Sequence, residues 1–286
     1  MTIGDIESIY TNQLPPLYEK DEARSLASYA VQSTCGLSKS YVMLHKSHEL
    51  TLGEETTLIR ILDELRVGTP LQYVLGEADF YGLKFKVNSN VLIPRPETEE
   101  LVFWVLDSAK RDADGDINII DLGTGSGCIP IAIKKNLPQA EVSACDISQE
   151  AIDMAINNAV HNQAEVHFFH ADILSPRFSL LPLTFNVIIS NPPYIRHSEK
   201  VSMHKNVLAH EPHTALFVPD EDPLLYYKSI ADFSLKHLSN KGLLFLEINE
   251  AFGRETEKML QAKGFKTEHK KDIQGKDRMI KAWLID

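Results

Sequence analysis

The segment Asn191-Pro192-Pro193-Tyr194 combines carbonyl oxygens and a side-chain amide that could hold an amino group. Neither proline has an N–H, so the carbonyl oxygens of this turn are available as acceptors without a role in a strand ladder. The side chain of Asn191 adds a further acceptor, and the ring of Tyr194 could cover a reacting group and tolerate a nearby cation. Such acceptors can orient a planar NH2 group as a nucleophile, and orientation can lower a barrier by up to ~7–11 kcal/mol. A proline-rich turn without chemistry is the alternative interpretation.

A second segment, Asp121-Leu122-Gly123-Thr124-Gly125-Ser126-Gly127, joins a predicted strand to a predicted helix. Glycines let the backbone turn sharply and let a ligand lie against it. The Gly-x-Gly-x-Gly spacing is not the dinucleotide fingerprint, and no Lys-Ser/Thr follows as in a P-loop. The pattern favours a nucleoside cofactor and leaves NAD and S-adenosylmethionine open, with a purely structural glycine turn as the alternative.

Acidic and apolar residues at the ends of the next two predicted strands support a nucleoside site. Asp146 ends one strand, where a carboxylate would meet ribose hydroxyls. Asp172 and Ile173 follow the next strand and are placed to border an adenine ring. The alternative for Asp146 is a solvated surface carboxylate.

The elements that must position these residues alternate between strands and helices from residue 117 onward. Alternation of this kind predicts an α/β fold, a Rossmann-like and mostly parallel seven-stranded sheet with helices on both faces. Ligands of such sheets bind beyond the carboxyl ends of the strands, which places the two segments side by side. The predicted strands cover residues 117–121, 141–145, 166–169, 185–190, 242–248, 265–267 and 279–284, and the predicted helices 127–136, 149–161, 223–238 and 254–263.

The residues before this sheet differ in character. Residues 1–75 predict a small helical domain, with capping boxes at Thr2-x-x-Asp5 and Thr51-x-x-Glu54 and an apolar stripe from Leu58 to Leu65. Residues 76–93 are rich in strand-forming residues punctuated by glycine and predict a β-hairpin that links two domains. Residues 94–286 then form the predicted catalytic domain.

Composition bounds the possible functions of the 286-residue chain. Its 29 Lys+Arg against 40 Asp+Glu give a net charge of −11, which argues against a generally basic nucleic-acid-binding protein. The three cysteines form no Cys-x-x-Cys pair, and the eleven histidines show no metal-ligand spacing, so no metal site is predicted. No apolar run reaches the ~18–20 residues of a membrane span, and no signal peptide is evident, so we expect a cytoplasmic protein.

Several motifs together resemble a known family. Asp-Leu-Gly-Thr-Gly-Ser-Gly followed by Asn-Pro-Pro-Tyr is similar to the class I S-adenosylmethionine-dependent methyltransferases that act on amino nitrogen. Ile-Pro-Arg-Pro-Glu-Thr-Glu at 93–99 narrows the resemblance, as do Glu211-Pro212-x-x-Ala215-Leu216, Leu246-Glu247-Ile248 and Gly275-x-Asp277-Arg278. Over essentially its whole length the chain resembles the release factor glutamine methyltransferases.

The resemblance implies methylation of N5 of the glutamine in the Gly-Gly-Gln motif of class I peptide chain release factors. It implies S-adenosylmethionine as cofactor and a monomeric enzyme that needs no nucleic acid and no membrane. The implied cofactor contacts are residues 123–127, Asp146, Asp172, Ile173 and Asn191. The implied substrate contacts are residues 191–194, with Arg95 and Glu97 in the wall of the glutamine pocket. Relatives often have an aromatic residue where this chain has Ile173, so its contact with adenine would be aliphatic.

Other interpretations stay open at this point. An adenine-N6 methyltransferase of nucleic acids shares the Asn-Pro-Pro-Tyr segment, but the net charge and the lack of an evident target-recognition domain argue against it. A ribosomal-protein glutamine methyltransferase is a closer alternative, and residues 93–99 favour release factors over it. The intact residues 191–194 argue against a non-catalytic binding module. Without the resemblance, Arg95 and Glu97 would simply begin a helix, and Asp277 with Arg278 would form a surface pair.

Overall fold

The computed structural model describes residues 1–15, 17–111, 117–178 and 183–284. The chain divides into two compact units, one of Met1–Glu77 with His204–His210 and one of Ala78–Met203 with Glu211–Asp286. The helices are α1 Ile3–Gln13, α2 Lys20–Cys35, α3 Lys39–Leu44, α4 Leu52–Arg66, α5 Leu71–Leu75, α6 Pro96–Arg111, α7 Cys128–Asn136, α8 Gln149–Asn162, α9 Lys205–His210, α10 Leu225–His237 and α11 Gly253–Ala262. The strands are β1 Glu77–Phe80, β2 Leu83–Lys86, β3 Asn118–Leu122, β4 Glu141–Asp146, β5 His167–His170, β6 Phe185–Ser190, β7 Ile195–Arg196, β8 Phe217–Val218, β9 Leu238–Glu247, β10 Phe265–Lys271 and β11 Asp277–Leu284.

The first unit is a helical bundle whose helices begin at the predicted caps. The side chain of Thr2 accepts from the backbone of Asp5, which in turn accepts from the N–H of Thr2, and Thr51 and Glu54 repeat this capping box at α4. The apolar stripe of α4 is buried in the core of this unit. Tyr10 is fully buried there, and its hydroxyl donates to the carbonyl of Leu58 at 2.6 Å.

A segment distant in sequence belongs to the same unit. In α9, Asn206 donates from its side-chain amide to the Tyr18 hydroxyl at 2.7 Å, although 188 positions separate the two residues. A Cβ at Gly68 would lie 2.8 Å from Oδ1 of Asn206, so glycine is required there. The sequence pattern contains no signal for this long-range contact.

In the second unit, β1 and β2 pair in a two-stranded sheet within the predicted hairpin region. Tyr81 and Gly82 between them have φ of 51° and 74°, as a two-residue hairpin turn requires. The side chain of Asn158 on α8 accepts from the N–H of Lys86 and donates to its carbonyl and to that of Ser126. This buried amide fastens the hairpin to the glycine segment.

The central sheet has seven strands in the order β10-β11-β9-β6-β3-β4-β5. Strands β3, β4, β5, β6 and β9 pair in parallel, and β11 runs antiparallel to both of its neighbours. The predicted mostly parallel seven-stranded sheet is therefore confirmed. The chain leaves β3 toward β4 on one side, while β6 lies on the other, so the strand order reverses at β3 and opens a crevice there.

Side-chain alternation divides the apolar residues of the sheet between two cores. Ile119, Ile189 and Phe245 face the core that contains α6 and α7. Ile120 and Ile188 face the opposite core, which contains α10 and α11. Because successive side chains of a strand point to opposite faces, both faces of the sheet are apolar. Helices cover both faces, as predicted.

The element ends differ from the predictions in three places. Helix α6 begins at Pro96, earlier than the apolar stripe from residue 101 indicates, because proline suits the first turn of a helix. Strands β9 and β10 are longer than predicted. Leu238 at the start of β9 pairs with Phe185 of β6, and polar residues such as Lys270 continue the pairing of β10 with β11. Across the described ranges, no helix is both long and apolar enough to cross a membrane.

Candidate active site

The glycine segment forms a sharp turn at the carboxyl end of β3. Gly123, Gly125 and Gly127 all have positive φ, at 78°, 54° and 79°. A Cβ on either of the first two would meet nothing within 4 Å, whereas one on Gly127 would lie 3.0 Å from the Cβ of Ala155. The first two glycines therefore leave space beside the backbone, and the third allows α7 and α8 to pack closely.

Asp146 at the end of β4 holds this turn in place. Its carboxylate accepts from the N–H of Gly125 at 2.8 Å and from the N–H of Ser148 at 2.9 Å. Burial raises the pKa of Asp146, and these backbone donors oppose that shift. Asp146 also borders the cavity beside the glycine turn, so the carboxylate predicted to contact ribose additionally shapes the loop.

Asp121 and Thr124 carry buried polar atoms that lack a hydrogen bond of good geometry. Neither carboxylate oxygen of Asp121 nor the hydroxyl of Thr124 has such a partner in the described part of the chain. Burial raises the pKa of Asp121 to about 7, and the negative charge of Asp146 adds to this shift. A cation bound beside this turn would offset the cost of the buried carboxylate.

The cavity beside the glycine turn lies at the carboxyl ends of β3, β4, β5 and β6, and most of the predicted site residues line it. Those that line it are Arg95, Gly123, Thr124, Gly125, Ser126, Asp146, Asp172, Ile173, Asn191 and Pro193. Gly127, Pro192, Tyr194 and Glu97 are predicted site residues that do not line it. The described residues contain no cluster of three or more His, Cys, Asp or Glu suited to a metal ion.

The wall formed after β5 contains an aromatic residue that sequence reasoning missed. Oδ1 of Asp172 accepts from the N–H of Leu174 at 2.8 Å, and the carbonyl of Ile173 accepts from the Ser229 hydroxyl at 2.5 Å. Tyr226 on α10 lines the same cavity. An aromatic side chain is thus available where Ile173 supplies only an aliphatic one. Tyr226 lies inside the predicted helix 223–238, and no motif of the sequence marks it as a functional residue.

Asn191 is held by a chain of buried polar groups. Its side-chain amide donates to the Thr98 hydroxyl at 3.2 Å, and that hydroxyl donates to Oε2 of Glu247 at 2.7 Å. The Tyr194 hydroxyl donates to Oε1 of Glu247 at 3.1 Å, and its carbonyl accepts from Asn249. Because the NH2 of Asn191 is bound to Thr98, its carbonyl oxygen remains as the acceptor for a group in the cavity.

The charge state of this cluster follows from burial. Burial raises the pKa of Glu247, while Thr98, Arg278 and Tyr194 lower it. Burial and the neighbouring Glu247 raise the pKa of Tyr194, so its phenol stays a neutral donor. In the sequence, Thr98 and Glu247 stand out only as members of the motifs at 93–99 and 246–248.

The remaining charged residues include two ion pairs with buried carboxylates and one contact at the surface. One guanidinium nitrogen of Arg95 lies 2.7 Å from both oxygens of Glu211, whose side chain is only 2% exposed. Glu211 is therefore not a solvated turn residue. Glu97 accepts from the side chain of Gln274 at 3.2 Å, outside the cavity. The surface pair considered for Asp277 and Arg278 is wrong, because Arg278 binds the buried carboxylate of Asp272 at 3.0 Å.

Comparison with known proteins agrees with this architecture. Residues 105–216 match the family model "Methyltransferase small domain", and residues 14–76 match "PrmC N-terminal domain". A methyltransferase structure from Pyrococcus furiosus superimposes with a TM-score of 0.51 at 14% identity, over 81% of this chain and 98% of that one. The chain therefore shares its fold with a methyltransferase, and residues 105–216 match a methyltransferase domain.

Curated relatives identify the family. The chain is 42% identical over 283 residues to the release factor glutamine methyltransferase of Flavobacterium psychrophilum, covering 98% of this chain and 99% of the relative. It is 38% identical over 278 residues to that of Bacteroides thetaiotaomicron, covering 97% and 98%. The chain belongs to the release factor glutamine methyltransferase family, which confirms the resemblance drawn from its motifs.

Proposed function

We propose that this enzyme transfers a methyl group from S-adenosylmethionine to N5 of the glutamine in the Gly-Gly-Gln motif of class I peptide chain release factors. The observation that carries the proposal is the bound amide of Asn191. Its NH2 is held by Thr98, and its carbonyl oxygen is left as an acceptor in the cavity that the glycine turn also borders. A primary amide such as that of glutamine is the group that such an acceptor suits.

The residues around the glycine turn fit S-adenosylmethionine. The glycine backbone leaves room for the ligand, Asp146 and Asp172 supply carboxylates for polar groups, and Ile173 and Tyr226 supply apolar surface for the base. The unpaired buried atoms of Asp121 and Thr124 suit a positively charged ligand. When bound, S-adenosylmethionine supplies an electrophilic methyl group.

Residues 191–194, which follow β6, orient the substrate. The carbonyl oxygen of Asn191 and the proline carbonyls can accept both hydrogens of the glutamine amide, which counters the delocalisation of its lone pair. Tyr194 lies outside the cavity lining, and its hydroxyl donates to Glu247, which also accepts from Thr98. Arg95 borders the pocket, and its pairing with Glu211 fixes its guanidinium.

We also propose roles for the predicted domains and for the assembly. Residues 1–75 would contribute to recognition of the release factor, residues 76–93 would join them to the catalytic domain of residues 94–286, and the enzyme would act as a monomer. The helical caps and buried core of the first unit support a stably folded recognition element.

Labelled S-adenosylmethionine tests the proposed function. Purified release factor should take up label in the presence of the enzyme, and the same factor with Gln→Ala in Gly-Gly-Gln should not. Equal labelling of the two factors would contradict the proposal. Transfer to adenine in nucleic acid, tested in parallel with the same labelled cofactor, distinguishes the alternative that shares the Asn-Pro-Pro-Tyr segment.

A further inference from the structure

Three elements far apart in sequence bring Asn191, Thr98 and Glu247 together. Thr98 lies in the first turns of α6, Glu247 ends β9, and Asn191 follows β6. Thr98 is 3% exposed and Glu247 is 1% exposed, so water does not compete freely for their hydrogen bonds. The two bonds of the chain span 93 and 149 sequence positions. Such a buried network costs free energy unless every member is paired, and here each bond is made.

The protons available to each group fix the direction of this chain. Thr98 donates its single hydroxyl proton to Oε2 of Glu247 at 2.7 Å. The lone pairs of the hydroxyl are then left to accept from the NH2 of Asn191. If the amide were flipped, two oxygens would face each other at Thr98, and an NH2 would face the NH2 of the substrate. The bond from Thr98 to Glu247 thereby disfavours the unproductive amide orientation.

We propose that Thr98 and Glu247 are positioning residues that act through Asn191, holding its carbonyl oxygen toward the substrate amide. This inference rests on the proposed function, because it assigns the oriented acceptor to the glutamine. Tyr194 shares the same carboxylate and supports it from the other side.

Isosteric replacement of the Thr98 hydroxyl tests this inference. Thr98→Val should lower kcat by about 10- to 100-fold, as when an outer partner that orients a functional ligand is lost. The dissociation constant of S-adenosylmethionine should stay within about twofold, since the glycine turn is untouched. Thr98→Ser, which restores the hydroxyl, should recover most of kcat. Thr256→Val is the matched control, because Thr256 is a buried threonine whose hydroxyl donates to the backbone carbonyl of Phe252, just before α11.

A double-mutant cycle separates positioning from general stability. In an Asn191→Ala background, Thr98→Val should change the remaining kcat by less than about twofold, since no amide is left to orient. An equal loss in both backgrounds, or an unchanged kcat in Thr98→Val alone, would overturn the inference. Glu247→Gln provides a second variant should Thr98→Val fold poorly, with melting temperature measured for each, and it should show the same dependence on Asn191. A wild-type enzyme that does not label the release factor would instead contradict the proposed function.

Discussion

The glycine turn and the Asn191 cluster border one cavity, yet they are held in place by different means. The turn owes its shape to backbone conformation, with three glycines at positive φ and one carboxylate accepting from the loop. The Asn191 cluster owes its shape to side chains drawn from three distant elements, each bonded to the next. The turn also buries unpaired atoms on Asp121, whereas the buried carboxylate of Glu247 is paired on both oxygens. The proposed cofactor side is thus organised mainly by its backbone, and the proposed substrate side depends on the completed tertiary fold.

The largest effect is expected from removing the acceptor at the centre of the Asn191 cluster, which is the side chain of Asn191 itself. Asn191→Ala should reduce turnover by on the order of 10²–10³, as for the loss of a group that orients and stabilises reacting atoms. Cofactor affinity should weaken far less, because the glycine turn does not depend on this side chain. Single-turnover rates and calorimetric binding of S-adenosylmethionine measure the two effects. Near-normal turnover would show that Asn191 does not orient the substrate amide, and the contrast between the glycine turn and the Asn191 cluster would no longer hold.

The contrast also explains what sequence reasoning could find. Residues 121–127 lie in one short segment, so their spacing predicts a ligand-binding turn directly, and the strands that flank it appear as apolar runs. Asn191 was found in the same way, from its proline neighbours. Thr98 and Glu247 were not assigned roles, because their partners lie 93 and 149 positions away and no local pattern links them.

Gly127→Ala should disturb the first region through packing. A Cβ there would lie 3.0 Å from that of Ala155 and would require φ of 79°. Left-handed backbone costs roughly 1–2 kcal/mol and overpacking roughly 1–3 kcal/mol, so the free energy of unfolding should fall by about 2–5 kcal/mol. Denaturant titration measures this loss. Gly125→Ala is the matched variant, since its Cβ meets nothing and only the backbone cost applies; equal losses in the two would contradict the packing role.

The unpaired carboxylate of the first region predicts a pH dependence. Burial raises the pKa of Asp121 to about 7, so the folded protein without ligand binds more protons than the unfolded chain between about pH 4 and 7. The contribution of Asp121 to the free energy of unfolding should therefore decline as pH rises through that window. A cationic ligand favours the ionised form, so affinity for S-adenosylmethionine should increase by up to about tenfold from pH 6 to pH 8 and level off above pH 7.

Asp121→Asn removes the titrating group and provides the control for this pH dependence. Its affinity for S-adenosylmethionine should be lower than that of the wild type at pH 8 and nearly independent of pH. Calorimetry at pH 6, 7 and 8 on both proteins measures the difference. The same pH dependence in both proteins would place the titration on another group.

A smaller effect is expected from the edge of the second region. Tyr194→Phe removes one of the two bonds to Glu247 and keeps the ring, and a single hydrogen bond is worth about 0.5–1.5 kcal/mol. Turnover should fall by about 3- to 10-fold. Tyr10→Phe removes a buried hydroxyl bond in the helical unit and should lower stability without changing kcat. A loss in Tyr194→Phe as large as that in Asn191→Ala would mean that the phenol acts on the substrate directly.

The limits of sequence reasoning in the fold have the same origin as those in the site. Continuous apolar runs predict the five parallel strands to within a few residues, because these strands are buried on both faces. The length of β10 was underestimated, since Lys266, Lys270 and Lys271 carry no apolar signal and are held by pairing to β11. The assignment of His204–His210 to the helical unit rests on contacts such as that of Asn206 with Tyr18.

The smallest effect should come from Glu97, which the family resemblance places at the substrate and the structure places against Gln274. Glu97→Gln keeps an oxygen that can accept from the Gln274 amide, so KM for the release factor and kcat should both stay within about twofold. Arg95→Gln is the informative partner, because Arg95 lines the cavity and neutralises buried Glu211. Removing one member of such a pair leaves an uncompensated buried charge and costs about 3–5 kcal/mol, so this variant should lose both stability and activity. A tenfold rise in KM for Glu97→Gln would instead extend the substrate site beyond the cavity, toward the loop that carries Gln274.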